Sequence, residues 1–368
     1  MELPVVKIRR NLQPLSWLYG IGVNFRNWLY NNKIIKQHKF NIPIICVGNI
    51  TAGGTGKTPH IEYLIKLLSP KYKVAVLSRG YKRKSKGFQI VQVNSKVRDT
   101  GDEPLQIKKK FPNVMVVVDK NRANAIQKLL AYKKEEQPDV ILLDDGFQHR
   151  RVLPSLSIVL VDSNRPVFED KLLPAGLLRE PLTGISRASI VLVTKCPPEF
   201  QPIDFRIYSN GLDLFAFQSL YFTTFDYEEI KPVFPEIVEE EIQISDILKK
   251  HTLLVTGIAS PEPLAKKLEQ RTYNLYTKYF PDHHNFTKRD IDSIVEMVEE
   301  IDDENKIIIT TEKDAVRFKS LPFLPEEIKK MLYYIPVMVI FLDNSDKYSF
   351  NKKIIEHVRN NKRNRRLS

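Results

Sequence analysis

Cysteine and histidine are scarce in this sequence, and apart from one histidine doublet the few present lie far from one another. Of its 368 residues only two are cysteine, Cys46 and Cys196, and each lies beside an apolar run. Structural zinc sites need several closely spaced Cys or His ligands, and a disulfide framework needs paired cysteines in a short chain. The sequence therefore predicts neither. We expect both cysteines to be buried thiols in a reducing compartment.

Long hydrophobic runs are also absent. A helix that crosses a membrane needs about 20 consecutive apolar residues, and no uninterrupted apolar run in the sequence approaches that length. The hydrophobic content of 42% and the charged content of 27% are those of a soluble globular protein. A chain of 368 residues is long enough for one large domain or two ordinary ones.

Acidic residues are outnumbered by basic ones, so the chain carries a formal net charge of +13. An excess of Lys and Arg favours anionic partners, which include nucleic acid, an acidic membrane surface and a phosphorylated substrate. Part of this excess lies in the C-terminal stretch Lys352–Arg366. That stretch is either a solubilising tail or part of an anion-binding surface, and its charge alone leaves both interpretations open.

The N-terminal region predicts an amphipathic helix from about Pro14 to Tyr30. Its apolar face consists of Leu18, Ile21, Gly22, Phe25, Trp28 and Leu29, and the flanking cations are Arg9, Arg10, Arg26, Lys33 and Lys36. Such a helix can lie in a membrane interface with its aromatic residues submerged and its cations on anionic headgroups. The alternative is a helix that packs on the core of the protein itself.

Apolar runs alternate with helical patterns through the middle of the chain. The predicted strands are Ile44–Gly48, Val74–Ser78, Val114–Val118, Val140–Leu143, Ser157–Val161 and Ile190–Thr194. Several are apolar throughout, which is typical of parallel strands buried on both faces. Together with helical patterns at Ile61–Leu68 and Asn121–Tyr132, they predict a doubly wound, mostly parallel α/β sheet.

A polar, acidic stretch at 202–245 interrupts this alternation, which then resumes. The later predicted elements are Thr252–Gly257, Pro261–Gln270, Thr287–Ile301, Lys306–Thr311, Val337–Leu342 and a final helix. Thr287 and Asp290 have the spacing of a capping box. We therefore expect an N-terminal segment at 1–40, a larger domain at 41–215, a linker at 216–250 and a smaller α/β domain with a basic tail at 251–368.

The strongest functional signal is a glycine-rich segment between the first strand and the next helix. The chain has only 14 glycines, yet Gly48, Gly53, Gly54 and Gly56 all fall in this segment. Without Cβ atoms the backbone can turn its N–H groups around phosphate oxygens, and the helix adds its positive N-terminal end. The segment fits the Gly-Gly-x-Gly-Lys-Thr variant of the P-loop. The predicted ATP-binding residues are Thr51, Ala52, Gly53, Gly54, Thr55, Gly56, Lys57 and Thr58.

An apolar strand that ends in two carboxylates, Asp144 and Asp145, predicts the other half of a nucleotide site. A carboxylate in this position binds or orients the Mg²⁺ that the hydroxyl of Thr58 also holds, while Lys57 reaches the β- and γ-phosphates. ATP and Mg²⁺ are therefore the expected cofactors, and the larger domain at 41–215 is expected to be a P-loop nucleotide-binding domain.

Three polar stretches are candidates for the site of the phosphate acceptor: Thr100–Pro104, Asp144–Arg150 and Pro281–Phe286. Each of them is either an ordinary polar loop or a part of that site. An Asp paired with a His can accept the proton of an alcohol, which is the chemistry that such an acceptor needs.

Taken together, these stretches resemble the tetraacyldisaccharide 4′-kinase family, the lipid A 4′-kinases. The resemblance covers nearly the whole chain through Val47–Pro59, Leu77–Tyr81, Gly101–Pro104, Asp144–His149, Leu172–Pro181, Phe280–His283 and Thr310–Asp314. It implies ATP-dependent phosphorylation of the 4′-hydroxyl of tetraacyldisaccharide 1-phosphate at the cytoplasmic face of the inner membrane. It also implies that the segment 1–40 contacts that membrane. Neither nucleic acid nor an obligatory protein partner is expected.

The resemblance further assigns roles to single residues. Asp102 resembles the catalytic base and Lys57 a catalytic cation, and a histidine of the doublet His283–His284 resembles the assistant of the base. His283 is preferred because it directly follows the aspartate of the motif. The carboxylates that resemble Mg²⁺ ligands or their neighbours are Glu103, Asp144 and Asp145. The residues that resemble substrate or phosphate contacts are Ser78, Arg83, Arg122, His149, Arg179 and Glu180.

One alternative belongs to another functional class. Membrane-associated switch ATPases of the deviant Walker-A type share the Gly-Gly-Thr-Gly-Lys-Thr pattern, but they carry a signature Lys just before the paired glycines. This chain has Ala52 at that position, which favours the kinase interpretation. The sequence also contains no nucleic-acid recognition motif.

Overall fold

The computed structural model describes residue 4 and residues 6–197, 199–227, 229–238, 242–258, 260–282 and 284–367, with side chains as far as residue 361. The chain forms two compact units. The larger unit contains Met1–Val93, Ile107–Phe225 and Val339–Ser368, and the smaller unit contains Asn94–Gln106 and Asp226–Met338.

A nine-stranded, mostly parallel sheet forms the centre of the larger unit. Its strands are β1 Ile44–Asn49, β2 Val74–Ser78, β3 Gln89–Ile90, β4 Met115–Val118, β5 Val140–Asp144, β6 Leu156–Asp162, β7 Ile190–Thr194, β8 Ser219–Tyr227 and β14 Val337–Phe341. They lie in the order β14-β8-β7-β6-β1-β5-β2-β4-β3. The strands from β8 to β4 pair in parallel, and β3 pairs antiparallel at one edge. This arrangement confirms the predicted fold class.

The central strands are buried along their whole length, as the continuous apolar runs of the sequence predict. The helices of this unit are α1 Gln13–Asn31, α2 Lys57–Leu68, α5 Arg122–Leu130, α6 Pro202–Leu212 and α11 Asn344–Leu367, together with the end of α4 Asp102–Lys110, whose residues up to Gln106 belong to the smaller unit. Both cysteines are free thiols in buried positions, as expected.

The N-terminal helix α1 is attached through its small and polar face. Ser16 is buried, its Oγ donates to the carbonyl of Leu172 at 2.9 Å, and it accepts from the N–H of Ala175 at 2.9 Å. Gly20 is buried where a Cβ would lie 2.9 Å from a methyl carbon of Leu172. The opposite, apolar face is exposed, with Trp17 71%, Leu18 66%, Ile21 66%, Phe25 59% and Trp28 52% accessible.

The cations near α1 do not all flank the exposed face as the sequence suggested. Arg26 instead donates to the carbonyl of Gln148 at 2.5 Å and lies over the ring of Tyr30. Nowhere in the described residues is there a helix both long and apolar enough to cross a membrane.

The smaller unit contains a second α/β arrangement around a five-stranded sheet. Its elements are α3 Val97–Thr100, β9 Lys231–Pro232, β10 His251–Thr256, α7 Glu262–Glu269, β11 Asn274–Tyr279, α8 Lys288–Glu299, β12 Lys306–Thr311, α9 Glu312–Phe318, α10 Glu326–Met331 and β13 Leu332–Ile335. The strands lie in the order β11-β10-β12-β13-β9, parallel except for the last pair. Thr287 and Asp290 form the predicted capping box at the start of α8.

The structure divides the chain differently from the sequence-based boundaries. The proposed linker at 216–250 contains β8, a strand of the larger sheet in which Tyr221 and Phe222 are buried. The segment from Val339 onward was assigned to the smaller domain, but β14 and α11 belong to the larger unit. The reason is an aromatic cluster in which Phe341 and Phe350 pack on each other at 5.1 Å and on Tyr221 at 6.2 and 5.6 Å.

Candidate active site

The glycine-rich loop connects the end of β1 to the start of α2. Two of its glycines have backbone conformations that other residues rarely adopt. Gly56 is the residue before the helix and has a left-handed backbone (φ +82°), and Gly53 has φ +117°. A Cβ at Gly56 would collide with the ring of Phe225. Glycine at position 56 is therefore required both by backbone conformation and by a close neighbour.

Polar contacts from three sides hold this loop in place. Asn49 Nδ2 donates to Thr55 Oγ1 at 2.9 Å, and Thr194 Oγ1 donates to the Thr55 carbonyl at 3.1 Å. The N–H of Ala52 donates to the carbonyl of Leu177 at 2.7 Å. The conformation of the loop is thus supported by contacts with its neighbours in the protein.

Lys57 and Asp145 form the charged centre of the site. Lys57 Nζ lies 3.6 Å from Asp145 Oδ1, and Arg179 Nη1 lies 3.5 Å from Asp145 Oδ2. Burial by itself raises the pKa of Asp145, but Lys57, then Arg179 and Arg122, outweigh burial and hold this pKa below its usual range. Asp145 also has a left-handed backbone, φ +46°, a strained conformation often found at functional sites.

Asp144 is the last residue of β5 and is buried. Ser78, at the carboxyl end of the neighbouring strand β2, donates to Asp144 Oδ2 at 2.9 Å. The pairing of β2 with β5 therefore places one predicted substrate residue directly against a predicted metal residue.

The donors near Lys57 fit a Mg²⁺ ion that also binds a nucleotide. The Oδ1 atom of Asp145 is buried and accepts no hydrogen bond from the described residues. Mg²⁺ prefers oxygen ligands and takes one or two carboxylates together with phosphates and water. Asp144, Asp145 and the hydroxyl of Thr58 at the start of α2 are oxygen donors of this kind. In the described part of the chain no three His, Cys, Asp or Glu side chains converge on one point, so phosphate oxygens would have to complete the shell.

Arg122 and His149, which also belong to the larger unit, both have a pKa below the usual range of their residue type. Arg122 is buried, which lowers the pKa of its guanidinium, and Asp145 and Asp144 act against that shift. Burial lowers the pKa of His149 to about 4, and the charge of Arg122 acts in the same direction. His149 is therefore a neutral imidazole at pH 7. Its buried Nε2 has no hydrogen-bond partner among the described residues.

Two predicted substrate residues are engaged with the protein itself. Glu180 is almost fully buried, pairs with Arg187 at 2.8 Å and accepts from Asn27 of α1 at 3.3 Å. Arg83 donates to the carbonyls of Gly87 at 2.6 Å and Val118 at 3.4 Å. Their roles toward a substrate remain predictions.

In the smaller unit a buried ion network surrounds Asp102. Arg317 pairs with Asp102 Oδ2 through one nitrogen and with Asp314 Oδ1 at 2.6 Å through another. Asp314 is fully buried, and its Oδ2 accepts from the N–H of Gly257 at 2.8 Å and from Thr311 Oγ1 at 2.8 Å. Asp314 therefore fixes Arg317, and Arg317 fixes Asp102.

Lys313, one turn before Arg317 on α9, also pairs with carboxylates of this unit. Its Nζ lies 3.1 Å from Asp282 Oδ1 and 3.9 Å from Glu103 Oε1. Asp102 and Glu103 stand in the first turn of α4, where the helix dipole favours negative charge. Glu103, predicted as a metal contact, thus lies beside a lysine in the smaller unit.

Of the histidine doublet, the structure describes His284. His284 Nε2 lies 2.9 Å from Asp290 Oδ2 of the α8 capping box, and its ring stacks on Phe280 at 4.8 Å. His283 lies outside the described residues. These contacts hold His284 against the start of α8, and the preference for His283 as the partner of the base stays a prediction.

Comparison with known proteins defines the family. A sequence profile described as tetraacyldisaccharide-1-phosphate 4′-kinase matches residues 8–359. The chain belongs to this kinase family.

Individual relatives agree with the profile. A tetraacyldisaccharide 4′-kinase of Phocaeicola vulgatus is 47% identical over 369 residues and is covered over 100% of both chains. One of Parabacteroides distasonis is also 47% identical, over 96% of this chain and 95% of its own. The crystal structure of the "apo" form of LpxK from Aquifex aeolicus in complex with ATP has 30% sequence identity and a TM-score of 0.71, covering 95% of this chain and 99% of its own.

Sequence reasoning identified the motif Thr310–Asp314 as part of the resemblance to the 4′-kinase family but gave it no role. The structure shows what the motif does. It supplies the capping hydroxyl of Thr311, the buried carboxylate of Asp314 and the cation of Lys313. Arg317, which follows on the same helix, was missed altogether. A cluster of threonine, carboxylate and lysine at the start of a helix was the available signal.

Replacing Arg317 by methionine is expected to destabilise the smaller unit by about 3–5 kcal/mol, because removal of one partner leaves Asp102 and Asp314 buried without their cation. Hydrogen exchange of the smaller unit, recorded as a function of temperature, measures this loss of stability. Arg289→Met, on the exposed face of α8, is the matched control and should change stability by less than about 0.5 kcal/mol. Equal stability of the two variants would contradict the ion network.

Proposed function

We propose that this chain transfers the γ-phosphate of ATP to the 4′-hydroxyl of tetraacyldisaccharide 1-phosphate, a step in lipid A biosynthesis that gives the 1,4′-bisphosphate. One observation carries the proposal. A P-loop with the charged pair Lys57–Asp145 lies in a chain that matches the 4′-kinase family over residues 8–359. The switch ATPase alternative has no comparable support.

Phosphoryl transfer requires positioning and charge neutralisation more than covalent chemistry by the protein. The 4′-oxygen attacks the γ-phosphorus, the bond from that phosphorus to the bridging oxygen of ADP breaks, and the proton of the hydroxyl passes to a base. Lys57 and the N–H groups at the start of α2 balance the charge of the β- and γ-phosphates. A bound Mg²⁺ supplies further neutralisation of the phosphate oxygens, with Thr58, Asp144 and Asp145 as its proposed protein ligands.

Asp102 is the proposed base. It is a buried carboxylate at a helix start, and its Oδ2 is oriented by Arg317 while its Oδ1 accepts from the N–H of Glu103 at 3.0 Å. A base must hold one orientation toward the hydroxyl to be effective. The network of Arg317 and Asp314 supports this assignment because it fixes that orientation.

The remaining polar residues are proposed to recognise the substrate. Guanidinium groups bind phosphate with two parallel hydrogen bonds, so arginines suit the phosphates of ATP and of the lipid. The proposed set is Ser78, Arg83, Arg122, His149, Arg179 and Glu180. Within it, Arg179 already reaches the carboxylate of Asp145, and Glu180 is tied to α1 through Asn27.

We also infer that α1 lies on the cytoplasmic face of the inner membrane as a peripheral anchor. Its polar face is used for attachment to the larger unit, and its large apolar side chains face outward. Exposed tryptophan and phenylalanine on a helix beside basic residues match the chemistry of an interfacial helix. This position would deliver a lipid substrate without requiring it to leave the bilayer.

Replacing Asp102 by asparagine is expected to lower kcat by about 10²–10⁴-fold, because asparagine cannot accept the proton. The measurement is transfer of γ-labelled phosphate to the tetraacyldisaccharide 1-phosphate in detergent micelles. Asp99→Asn, a partly exposed aspartate of the preceding helix α3, is the control and should retain full activity. Lipid labelling that survives Asp102→Asn would remove Asp102 as the base. ATP hydrolysis that responds only to bare liposomes would favour the switch ATPase.

The histidine doublet gives a second expected contrast. His283→Ala should lower kcat by at least about tenfold at unchanged stability, because a proton-accepting partner is lost. His284→Ala should mainly lower the melting temperature, because His284 bonds Asp290 and stacks on Phe280. Parallel measurement of kcat and melting temperature separates the two roles. The reverse pattern would assign the catalytic role to His284.

The proposed anchor predicts a loss of membrane binding from a single exposed ring. Phe25→Ser should weaken binding to phosphatidylglycerol vesicles by roughly tenfold or more, since a buried phenylalanine contributes about 1.5–3 kcal/mol. Phe217→Ser is the matched control, because Phe217 is similarly exposed, at 64% against 59% for Phe25, but lies in the loop between α6 and β8. Co-sedimentation with vesicles measures both. Equal loss, or no loss, in the two variants would contradict the anchor.

A further inference from the structure

His60 is a buried histidine one turn into α2, and none of the roles described so far uses it. It is 4% exposed, and both of its ring nitrogens are engaged. Nδ1 lies 2.8 Å from the carbonyl oxygen of Gly56, which also accepts the backbone N–H of His60 at 3.3 Å. A carbonyl can only accept, so the hydrogen of this contact is on Nδ1.

The other nitrogen connects the loop to the sheet. His60 Nε2 lies 3.2 Å from Thr223 Oγ1 on β8, and that hydroxyl lies 3.2 Å from the carbonyl of Val193 on β7. The ring of Phe225, two residues further along β8, packs against His60 at 6.0 Å and fills the space beside Gly56. A continuous set of contacts therefore runs from β7 and β8 through His60 to the last glycine of the P-loop.

The carbonyl that His60 holds belongs to the peptide that also carries the N–H of Lys57. In a trans peptide the C=O and N–H bonds point in opposite directions. A carbonyl of Gly56 that is fixed toward the interior of α2 therefore turns the Lys57 N–H outward, to the end of the helix where a phosphate binds. Pro59 has no N–H, so this helix start has one donor fewer than usual, and the orientation of those that remain has more effect.

We propose that His60 is a positioning residue of the nucleotide site, which holds the Gly56–Lys57 peptide in its phosphate-binding orientation by bridging the P-loop to β8. It touches neither the nucleotide nor the acceptor, and it acts through the backbone donor of Lys57. The contact that matters is the one from Nδ1, whereas the contact from Nε2 keeps the ring in place.

Two amide side chains separate these contacts. In His60→Asn the amide nitrogen replaces Nδ1 and can still donate to Gly56, whereas in His60→Gln it lies one bond further out, toward Thr223. His60→Leu retains neither contact. We expect His60→Asn to keep the KM for ATP within about twofold of the original, and His60→Gln and His60→Leu to raise it about tenfold, which corresponds to the loss of one hydrogen bond. The KM for the lipid should stay unchanged in all three variants.

Binding of ATP measured by calorimetry without lipid should show the same ranking of the three variants. This measurement does not depend on the acceptor or on the base, so its result is separate from the proposed transfer chemistry. His357→Leu is the stability control. His357 is partly buried and bonds Ser155 at 2.8 Å, and Ser155 in turn bonds Ile44 at the opposite end of β1. It should lower the melting temperature without changing the affinity for ATP.

The proposal fails if His60→Asn weakens ATP binding as much as His60→Leu does, or if none of the three variants changes it. Should His60→Leu not fold, Thr223→Val removes the hydroxyl at nearly constant shape. It is then expected to raise the KM for ATP by about threefold through a less fixed ring. An unchanged KM in Thr223→Val, with His60→Gln also unchanged, would overturn the positioning role.

Discussion

The parallel pairing of β1 with β5 is the constraint on which the positions of the glycine-rich loop and of Asp144 and Asp145 depend. Its register places Val47 beside Asp144, so the strand that leads into the P-loop ends next to the strand that supplies both carboxylates. Gly48 is required at this point, because a Cβ there would lie 2.7 Å from the Cβ of Phe147 in the turn after β5. A shift of this register by one residue would separate Lys57 from Asp145 and turn the carboxylates to other faces.

Each unit contains a carboxylate that is wholly or partly removed from water and is paired with cations. Buried carboxylates are costly unless they are paired and hydrogen-bonded. Asp145 lies between Lys57 and Arg179 in the larger unit, and Asp102 is held by Arg317 in the smaller one. The two arrangements differ in how closely the cations are held. The partners of Asp145 lie at 3.6 and 3.5 Å, whereas Arg317 is held at 2.6 Å by Asp314 inside the protein.

The sequence predicted those parts of the fold that rest on local pattern. Val74–Ser78, Ile190–Thr194 and Lys306–Thr311 appear with the bounds expected, because each is a short apolar run between polar breaks. The glycine-rich loop and the carboxylates at the end of β5 could be predicted together because such spacings follow from phosphate and metal chemistry, and the structure does bring Lys57 and Asp145 close to each other. β8 was missed, since its alternating Thr, Asp and aromatic residues at an outer position of the sheet resemble a loop.

Other features could not be read from the sequence because they depend on contacts across long chain separations. Nothing local distinguishes Arg317 from a surface arginine, since its partner Asp102 lies more than two hundred positions earlier. The same holds for the ring position of His60, which depends on Thr223 on a strand that was taken for a linker.

The helix α1 shows a further limit of pattern alone. An apolar face at helical spacing normally predicts burial in the core of the protein, and the hydrophobic effect acts equally toward a core or a bilayer. What decides between them is the opposite face, where Ser16 and Gly20 are small enough to let the helix approach Leu172 closely and Ser16 supplies the hydrogen bonds for attachment. Once that face is docked, Trp17, Ile21 and Phe25 point away from the protein. Removing these side chains from water then requires an apolar surface outside the fold, and this requirement is the physical basis of the proposed membrane anchor.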